Sequence, residues 1–349
     1  MTGSLNIALD AMGGDNAPEV VVKGANIARQ RFPHIHFLFF GDEARVSPLI
    51  ARYKALAKSS SLHHTDKLVA PDEKPSTALR AGRNTSMRLA IDAVQAKEAA
   101  GVVSAGNTGA LMAMSKFVFK TLPGVDRPAI ASFYPTLRGE SVMLDLGANL
   151  VCDADNLVQF AIMGNVFART VLGIHRPTVG LLNVGSEEMK GHEAVRDAAA
   201  VLRATSMPGE FHGFVEGDDI ARGTVDVIVT DGFTGNVALK TLEGTTKLYA
   251  EFLRRSFKSS LVARVGYLLA RPALNALRVR TDPRRYNGAI FLGLNGVAVK
   301  SHGGTDALGF ANAIGVAVDM ITQNSLDKIR DDFARFLAGN PTSPQVVGL

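Results

Sequence analysis

Apolar and polar positions along this chain switch repeatedly between two periods, and the switching predicts strands alternating with helices. Short apolar runs mark strands over Leu5–Asp10, His36–Gly41, Lys67–Ala70, Gly101–Ala105, Ala129–Tyr134, Ser141–Leu146, Thr178–Val184, Val225–Thr230 and Ala289–Leu294. Near-continuous runs such as Val227-Ile228-Val229 suit strands covered on both faces, as in a mostly parallel sheet. Helical spacing of apolar residues predicts helices over Glu19–Arg31, Met87–Glu98, Leu111–Thr121, Leu157–Leu172, Glu193–Ala204, Val237–Phe257 and Ala307–Thr322, with Pro18 where a first-turn proline is tolerated. Alternating units of this kind imply right-handed crossovers and an αβα sandwich. No repeat or low-complexity linker interrupts the pattern, which predicts a single α/β domain over residues 1–338 with a helical insertion at about 245–285. Residues 339–349 carry two prolines and are expected to form a flexible tail.

Composition narrows the class. Hydrophobic residues make up 46% of the 349 positions and charged ones 20%, enough for a sizeable core. No apolar run approaches the roughly 18 residues of a membrane-spanning helix. Met1-Thr2-Gly3-Ser4 leads straight into a strand pattern, so no signal peptide is expected. Cys152 is the single cysteine, which excludes an intrachain disulfide or a cysteine-rich metal site and suits a reducing cytoplasm. The formal charge of +5 is uneven: residues 251–285 hold nine Arg or Lys against two acidic residues, leaving the remainder at −2. Such local basicity points to a local anionic partner and away from a nucleic-acid-binding body.

In open parallel sheets, ligands bind beyond the carboxyl ends of the strands. Here those ends carry Gly, Asn, Asp and Thr in six loops. They supply Asp10, Gly13 and Gly14; Asn107, Thr108 and Gly109; the stretch Asp145-Leu-Gly-Ala-Asn149; Asn183; Asp231, Thr234 and Gly235; and Asp306 as candidate phosphate or substrate contacts. Glycines let backbone approach a ligand, and N–H groups at helix starts attract anions. The same residues also end strands and cap helices without binding anything. Six such loops in one chain predict a shared pocket. None is a GxGxxG turn or a P-loop, and no HExxH pair or His/Cys cluster argues for metal. Lys190 in its glycine-flanked loop, and His302 before Gly303-Gly304, can hold phosphate or polarise a carbonyl; a solvated lysine and a structural histidine are the alternatives. Cys152 has no neighbouring cation in sequence to activate it, so an inert thiol is expected.

The basic segment is amphipathic. Phe257, Leu261, Val265, Leu268 and Leu269 recur at roughly helical spacing, with Arg264 and Arg271 among the cations between them. Such a helix can lie in an anionic membrane interface. It can equally pack on its own core or on a second subunit, and its charge would also receive an acidic carrier protein.

Together, Asp10-Ala-Met-Gly-Gly-Asp15, Ser104-Ala-Gly-Asn-Thr-Gly-Ala-Leu-Met112, Gly180-Leu-Leu-Asn-Val-Gly185 and Thr230-Asp-Gly-Phe-Thr-Gly-Asn-Val237 resemble the phosphate acyltransferases of phospholipid synthesis. Asp126-Arg-Pro-Ala129 and Lys240-Thr-Leu-Glu-Gly244 support the resemblance, which runs from Ile7 to about Asn324. It implies a fold similar to the isopropylmalate dehydrogenase type, a homodimer, no metal or nicotinamide cofactor, and a cytoplasmic protein peripherally associated with the membrane. It implies acyl transfer from acyl-acyl carrier protein to inorganic phosphate, the acyl phosphate then feeding a glycerol-3-phosphate acyltransferase. It also implicates a loop lysine and a loop asparagine, which match Lys190 and Asn236. On this reading Lys190 and the N–H groups of Gly106–Gly109 hold phosphate, Asn236 stabilises the thioester oxyanion, and His302 assists. Asp10, Asp231 and Asp306 orient donors. The rivals are a dehydrogenase of the same fold, whose nucleotide and metal signatures are missing, a phosphotransacetylase-like enzyme using acyl-CoA, and a non-catalytic docking protein.

Overall fold

The apolar runs do pair, and eleven strands join into one sheet. The computed structural model describes residues 5–205 and 207–339; the expected tail beyond Gly339 lies outside them. The first stretch comprises β1 (Leu5–Asp10), α1 (Glu19–Arg31), β2 (Ile35–Gly41), α2 (Glu43–Ala51), α3 (Lys54–Lys58), β3 (Ser60–His64), α4 (Pro75–Ala81), α5 (Ser86–Gln95), β4 (Gly101–Ser104) and α6 (Thr108–Phe119). The second comprises β5 (Ala129–Pro135), β6 (Glu140–Leu144), α7 (Ala154–Val171), β7 (Thr178–Leu182), α8 (Glu193–Ala204), β8 (Glu210–Val215), α9 (Gly217–Arg222) and β9 (Val227–Val229). A helical pair, α10 (Gly232–Lys258) and α11 (Leu261–Arg280), leads to β10 (Ala289–Leu292), β11 (Val297–Lys300), α12 (Ala307–Thr322) and α13 (Ser325–Gly339).

The strand order is β3-β2-β1-β4-β11-β10-β5-β6-β9-β7-β8. From β3 to β11 neighbours are parallel, and from β6 to β8 they are parallel again. Between the two groups, β11–β10, β10–β5 and β5–β6 pair antiparallel. Three reversals leave the groups running in opposite local senses. This decides where the polar loops go.

Strand alternation feeds two cores. Ile7, Leu9, Phe37 and Phe39 face α1, α7 and α12, whose Phe160, Phe167 and Phe310 are fully buried. Ala8, Leu38, Phe40 and Ile228 face the other way, towards α5, α6 and the first turns of α10. Each fully buried large apolar side chain contributes about 1.5–3 kcal/mol, so both faces hold their helices firmly. Beyond the sheet the helical pair is poorly covered. α10 buries only Gly232 and Gly235 completely, and α11 buries nothing completely.

Several features depart from the sequence pattern, among them α2, α3, α4, α9 and α13, which lie outside the predicted helices. Lys67–Ala70 is not a strand; the third strand is the polar Ser60–His64 at the sheet edge. An edge strand needs only backbone pairing on one side, so its side chains carry little apolar signal. β8 and the short β11 also lie outside the predicted runs. Finally, α10 begins at Gly232, five residues before the predicted start, because Asp231 caps it.

Candidate active site

The loop pattern predicts one shared pocket, and the fold divides the six loops three and three. Those after β1, β4 and β11 emerge at adjacent strand ends of the first parallel group; those after β6, β9 and β7 emerge at the ends of the second. Six strand steps separate β4 from β7, roughly 29 Å at about 4.8 Å each. Lys190 and the Gly106–Gly109 turn thus follow strands of different parallel groups.

At the first end, Asp10 is buried and its carboxylate accepts the hydroxyls of Ser86 and Ser104, each at 2.6 Å, and the Met12 N–H at 3.3 Å. Burial pushes this carboxyl upward, opposed by those hydrogen bonds. Ser104 also accepts from Gly106 N at 3.0 Å, and Asp15 N donates to Gly303 O at 3.0 Å, so the three loops are laced together. A Cβ on Gly13 would lie 2.4 Å from Asp10 Oδ2 and 2.7 Å from Gly106 N, which only glycine avoids. Gly14 has φ +105°, again a glycine conformation. Asn107 caps α6 by accepting from Ala110 N at 3.0 Å and is held by donations to Pro71 O and Glu73 O. The N–H groups of Asn107, Thr108 and Gly109 have no acceptor among the described residues. They form an open, electropositive helix start.

His302 closes the same end. Its Nδ1 accepts from Gly304 N at 3.1 Å, which leaves the ring proton on Nε2, and its backbone N–H donates to Asn287 Oδ1 at 2.9 Å. Burial holds its pKa below the usual histidine value; Glu243 of α10 opposes this, and Lys240 of α10 acts in the same direction as burial. Those two residues pair at 2.8 Å. Asp306 is occupied structurally: it caps α12 through Gly309 N at 3.0 Å and pairs with Arg284 at 2.9 Å.

At the second end, Asp145 lies in a nest. Ile130 N, Gly147 N, Ala148 N and Asn149 N all donate to it, as does Asn149 Nδ2, at 2.6–3.2 Å. Burial still pushes its carboxyl upward. Asp231 receives both the N–H and the hydroxyl of Thr234, at 2.8 and 2.9 Å. Gly232 N donates to Asn149 O at 2.7 Å, and a Cβ on Gly235 would lie 1.9 Å from Asp145 O. Asn236 is exposed and spends one N–H on Leu146 O at 3.1 Å. In the neighbouring loop, Asn183 Nδ2 donates to Lys190 O at 3.1 Å, while the exposed Lys190 ammonium lies 3.6 Å from Glu187. The fold thus brings Asp10, Gly13, Gly14, Asn107, Thr108, Gly109 and His302 together, and Asn183, Lys190, Asp231, Thr234, Gly235 and Asn236 together.

α10 links the ends: Asn236 stands at one and, one turn or about 6 Å on, Lys240 neighbours His302 at the other. The hydroxyls of Ser86 and Ser104 and the ammonium of Lys300 were not among the candidates read from sequence, and the Asp145 stretch was read as a ligand contact, whereas its own backbone N–H groups enclose the carboxylate. Ser86 and Lys300 sit at element boundaries whose partners lie far along the chain. Among the described residues no group of three or more His, Cys, Asp or Glu could hold a metal, and no helix is long and apolar enough to cross a membrane. On the helical pair, Leu261, Val265, Leu268 and Leu269 are exposed, Leu269 to 80%, beside exposed Arg264 and Arg271; Phe257 packs edge-on against Tyr267 at 5.5 Å.

Comparison with known proteins adds a family. A family model described as fatty acid synthesis protein matches residues 5–328. The chain is 71% identical over 332 residues to a phosphate acyltransferase of Rhodospirillum centenum, covering 95% of this chain and 94% of that one. It is 61% identical over 335 residues to a phosphate acyltransferase of Paramagnetospirillum magneticum, covering 96% and 95%. Among solved structures it is similar to a phosphotransacetylase from Streptococcus pyogenes (TM-score 0.60, 16% identity, 92% and 94% covered). It is also similar to 4-hydroxythreonine-4-phosphate dehydrogenase from Klebsiella pneumoniae (TM-score 0.50, 14% identity, 92% and 98% covered). These structural likenesses establish a shared mixed α/β fold.

Proposed function

This chain belongs to the phosphate acyltransferase family, and from that premise we propose that it takes a fatty acyl group from acyl carrier protein and delivers it to inorganic phosphate. The observation that carries the siting is the open start of α6. Three unclaimed N–H groups at Asn107, Thr108 and Gly109, with the Nε2–H of His302 on the neighbouring loop, suit an oxyanion such as phosphate. Phosphate is already a nucleophile, so positioning and charge stabilisation can supply most of the rate. A phosphate oxygen attacks the thioester carbonyl, the C–S bond breaks, and the proton released from phosphate ends on the departing thiol.

The donor side runs along α10. Asn236 keeps one amide N–H beyond its bond to Leu146 O and can donate to the oxyanion that develops on the acyl carbonyl. Lys190 adds the cation on that side. The exposed apolar and basic face of α10 and α11 supports three further parts of the reading: a homodimer contact, peripheral attachment to an anionic leaflet, and reception of the acidic carrier protein. Lipid attachment would release the acyl phosphate beside a membrane glycerol-3-phosphate acyltransferase. Leu268→Glu with Leu269→Glu should abolish sedimentation with anionic liposomes; intact lipid binding with loss of the dimer would assign the face to the second subunit.

The fold shared with a phosphotransacetylase keeps acyl-CoA as a second donor. The deciding experiment supplies palmitoyl-acyl carrier protein or palmitoyl-CoA with phosphate and measures acyl phosphate. Faster product from the carrier protein is expected. Product from CoA alone would overturn the donor, and none from either would overturn the assignment for this chain.

A further inference from the structure

The mechanism above leaves one buried cation unused. Lys300 is the last residue of β11, beside the last residue of β4, and Ser301 N donates to Ser104 O at 2.8 Å across that junction. Its side chain is half-buried as a whole, and its ammonium is largely desolvated. The ammonium donates to Ala105 O at 3.2 Å and to Ser301 O. Both carbonyls belong to the loops that form the open α6 start and carry His302. An ammonium has three N–H groups, so one remains for a further acceptor. Burying a cation is costly unless it serves as a paired or bound charge, and no carboxylate lies within ion-pair distance of this one among the described residues.

We propose that Lys300 is a positioning residue for the phosphate co-substrate: it pins the Ala105–Gly109 turn to the His302 loop and places a positive charge behind the N–H groups that receive the anion. The inference rests on the reading that phosphate binds at this end. Without Lys300 the two loops lose their shared donor, and the turn faces the buried Asp10 carboxyl alone, a charge that repels phosphate. Lys190 follows a strand of the other parallel group, and its ammonium lies 3.6 Å from Glu187.

Titration gives a signature that a structural role would not. Burial lowers the Lys300 pKa to about 8, with Asp10 and Asp15 opposing. The groups facing it are Asp10 on β1, Asp15 in the next loop and His302 on its own loop, itself flanked by Lys240 and Glu243 of α10. As pH rises through about 8 the charge is lost and phosphate affinity should fall. Fold stability should move oppositely. The unfolded lysine keeps its proton up to the ordinary value near 10.5 while the folded one has released it, so the unfolded state binds more protons and this group favours folding progressively from about 8 upward.

The test is steady-state kinetics on the full chain with phosphate and acyl donor varied separately between pH 7 and 9.5. Lys300→Met should raise the phosphate KM about ten- to a hundred-fold, as for a lost charge-assisted bond, with the donor KM unchanged. The wild-type phosphate KM should climb above pH 8, whereas Lys300→Arg, charged throughout, should stay flat; phosphate's own ionisation is common to both and cancels. A native phosphate KM in Lys300→Met, or a loss falling equally on the donor, would overturn the proposal. If the methionine variant does not fold, a wild-type phosphate KM that does not change relative to Lys300→Arg would overturn it as well. Acyl phosphate formation by the wild-type protein tests the underlying reading separately; if that fails, this proposal falls with it.

Discussion

Two long helices begin at two strand ends of this molecule, in loops of nearly the same composition, and they begin differently. At α6, Asn107 satisfies a single donor, Ala110 N, and three N–H groups stay open. At α10, Asp231 takes the N–H and the hydroxyl of Thr234 and Gly232 N is claimed by the Asn149 carbonyl, which leaves only the N–H groups of Asp231 and Phe233 open among the described residues. The acids behind them differ in the same way. Asp10 rests on two hydroxyls and one backbone N–H, whereas Asp145 is enclosed by four backbone N–H groups and an amide. A Gly-, Asn- and Asp-rich strand end is therefore not a ligand site by composition. It becomes one where more of its donors are left over and its acid is lightly held, and becomes a tighter joint where its own loop takes up donors and encloses the acid.

The largest effect should come from forcing the closed joint. Gly235→Ala puts a Cβ 1.9 Å from the Asp145 carbonyl oxygen, against backbone that cannot move without opening the nest. A loss of about 4 kcal/mol or more is expected, measured by urea unfolding; a variant of native stability would mean the joint is looser than its geometry implies. Next in size, Lys190→Ala should lower turnover about a hundred- to a thousand-fold with the fold intact by circular dichroism. Because Lys190 is assigned to the donor side, phosphate KM should change much less than turnover. A rise in phosphate KM as large as the loss of turnover would put the lysine beside the phosphate.

A matched pair of cap deletions sharpens the comparison. Asn107→Ala and Asp231→Ala each remove a side-chain cap, so each should cost about 1 kcal/mol of stability. Only Asn107→Ala should also raise the phosphate KM, since its loss frees the open turn from Pro71 and Glu73. Equal kinetic effects from the two would erase the distinction between the ends.

Much of this was legible from the chain. Buried parallel strands such as Val227–Val229 announce themselves as apolar runs, and the loops after β1, β4 and β9 are marked by glycines whose necessity the fold explains. The edge strand Ser60–His64 was hidden because edge pairing uses backbone and leaves polar side chains. The division of six loops into two sets was hidden for a topological reason. It depends on β5 and β10 reversing the sheet, and nothing in the residues of Ala129–Pro135 or Ala289–Leu292 records the direction in which they pair. Lys300 was hidden by its type. A lysine after Val297-Ala298-Val299 reads as the solvated end of a strand until Ala105, 195 residues away, is seen to accept from it.

The smallest effect belongs to Cys152, which lies at the closed end. Its thiol is half-buried, 3.7 Å from Asn149 O, and burial pushes its pKa up to about 12, with the carboxylates of Asp145 and Asp231 pushing the same way. At pH 8 very little of this thiol would be the reactive thiolate. Cys152→Ser should therefore keep turnover within about two-fold, and iodoacetamide should label the wild-type protein slowly at pH 8. Rapid labelling would show that the Asp145 nest opens in solution, because only its loss removes the burial and the two charges together. The closed end would then be closed only part of the time, and its backbone donors would have to be counted with those of α6 as available to an anion.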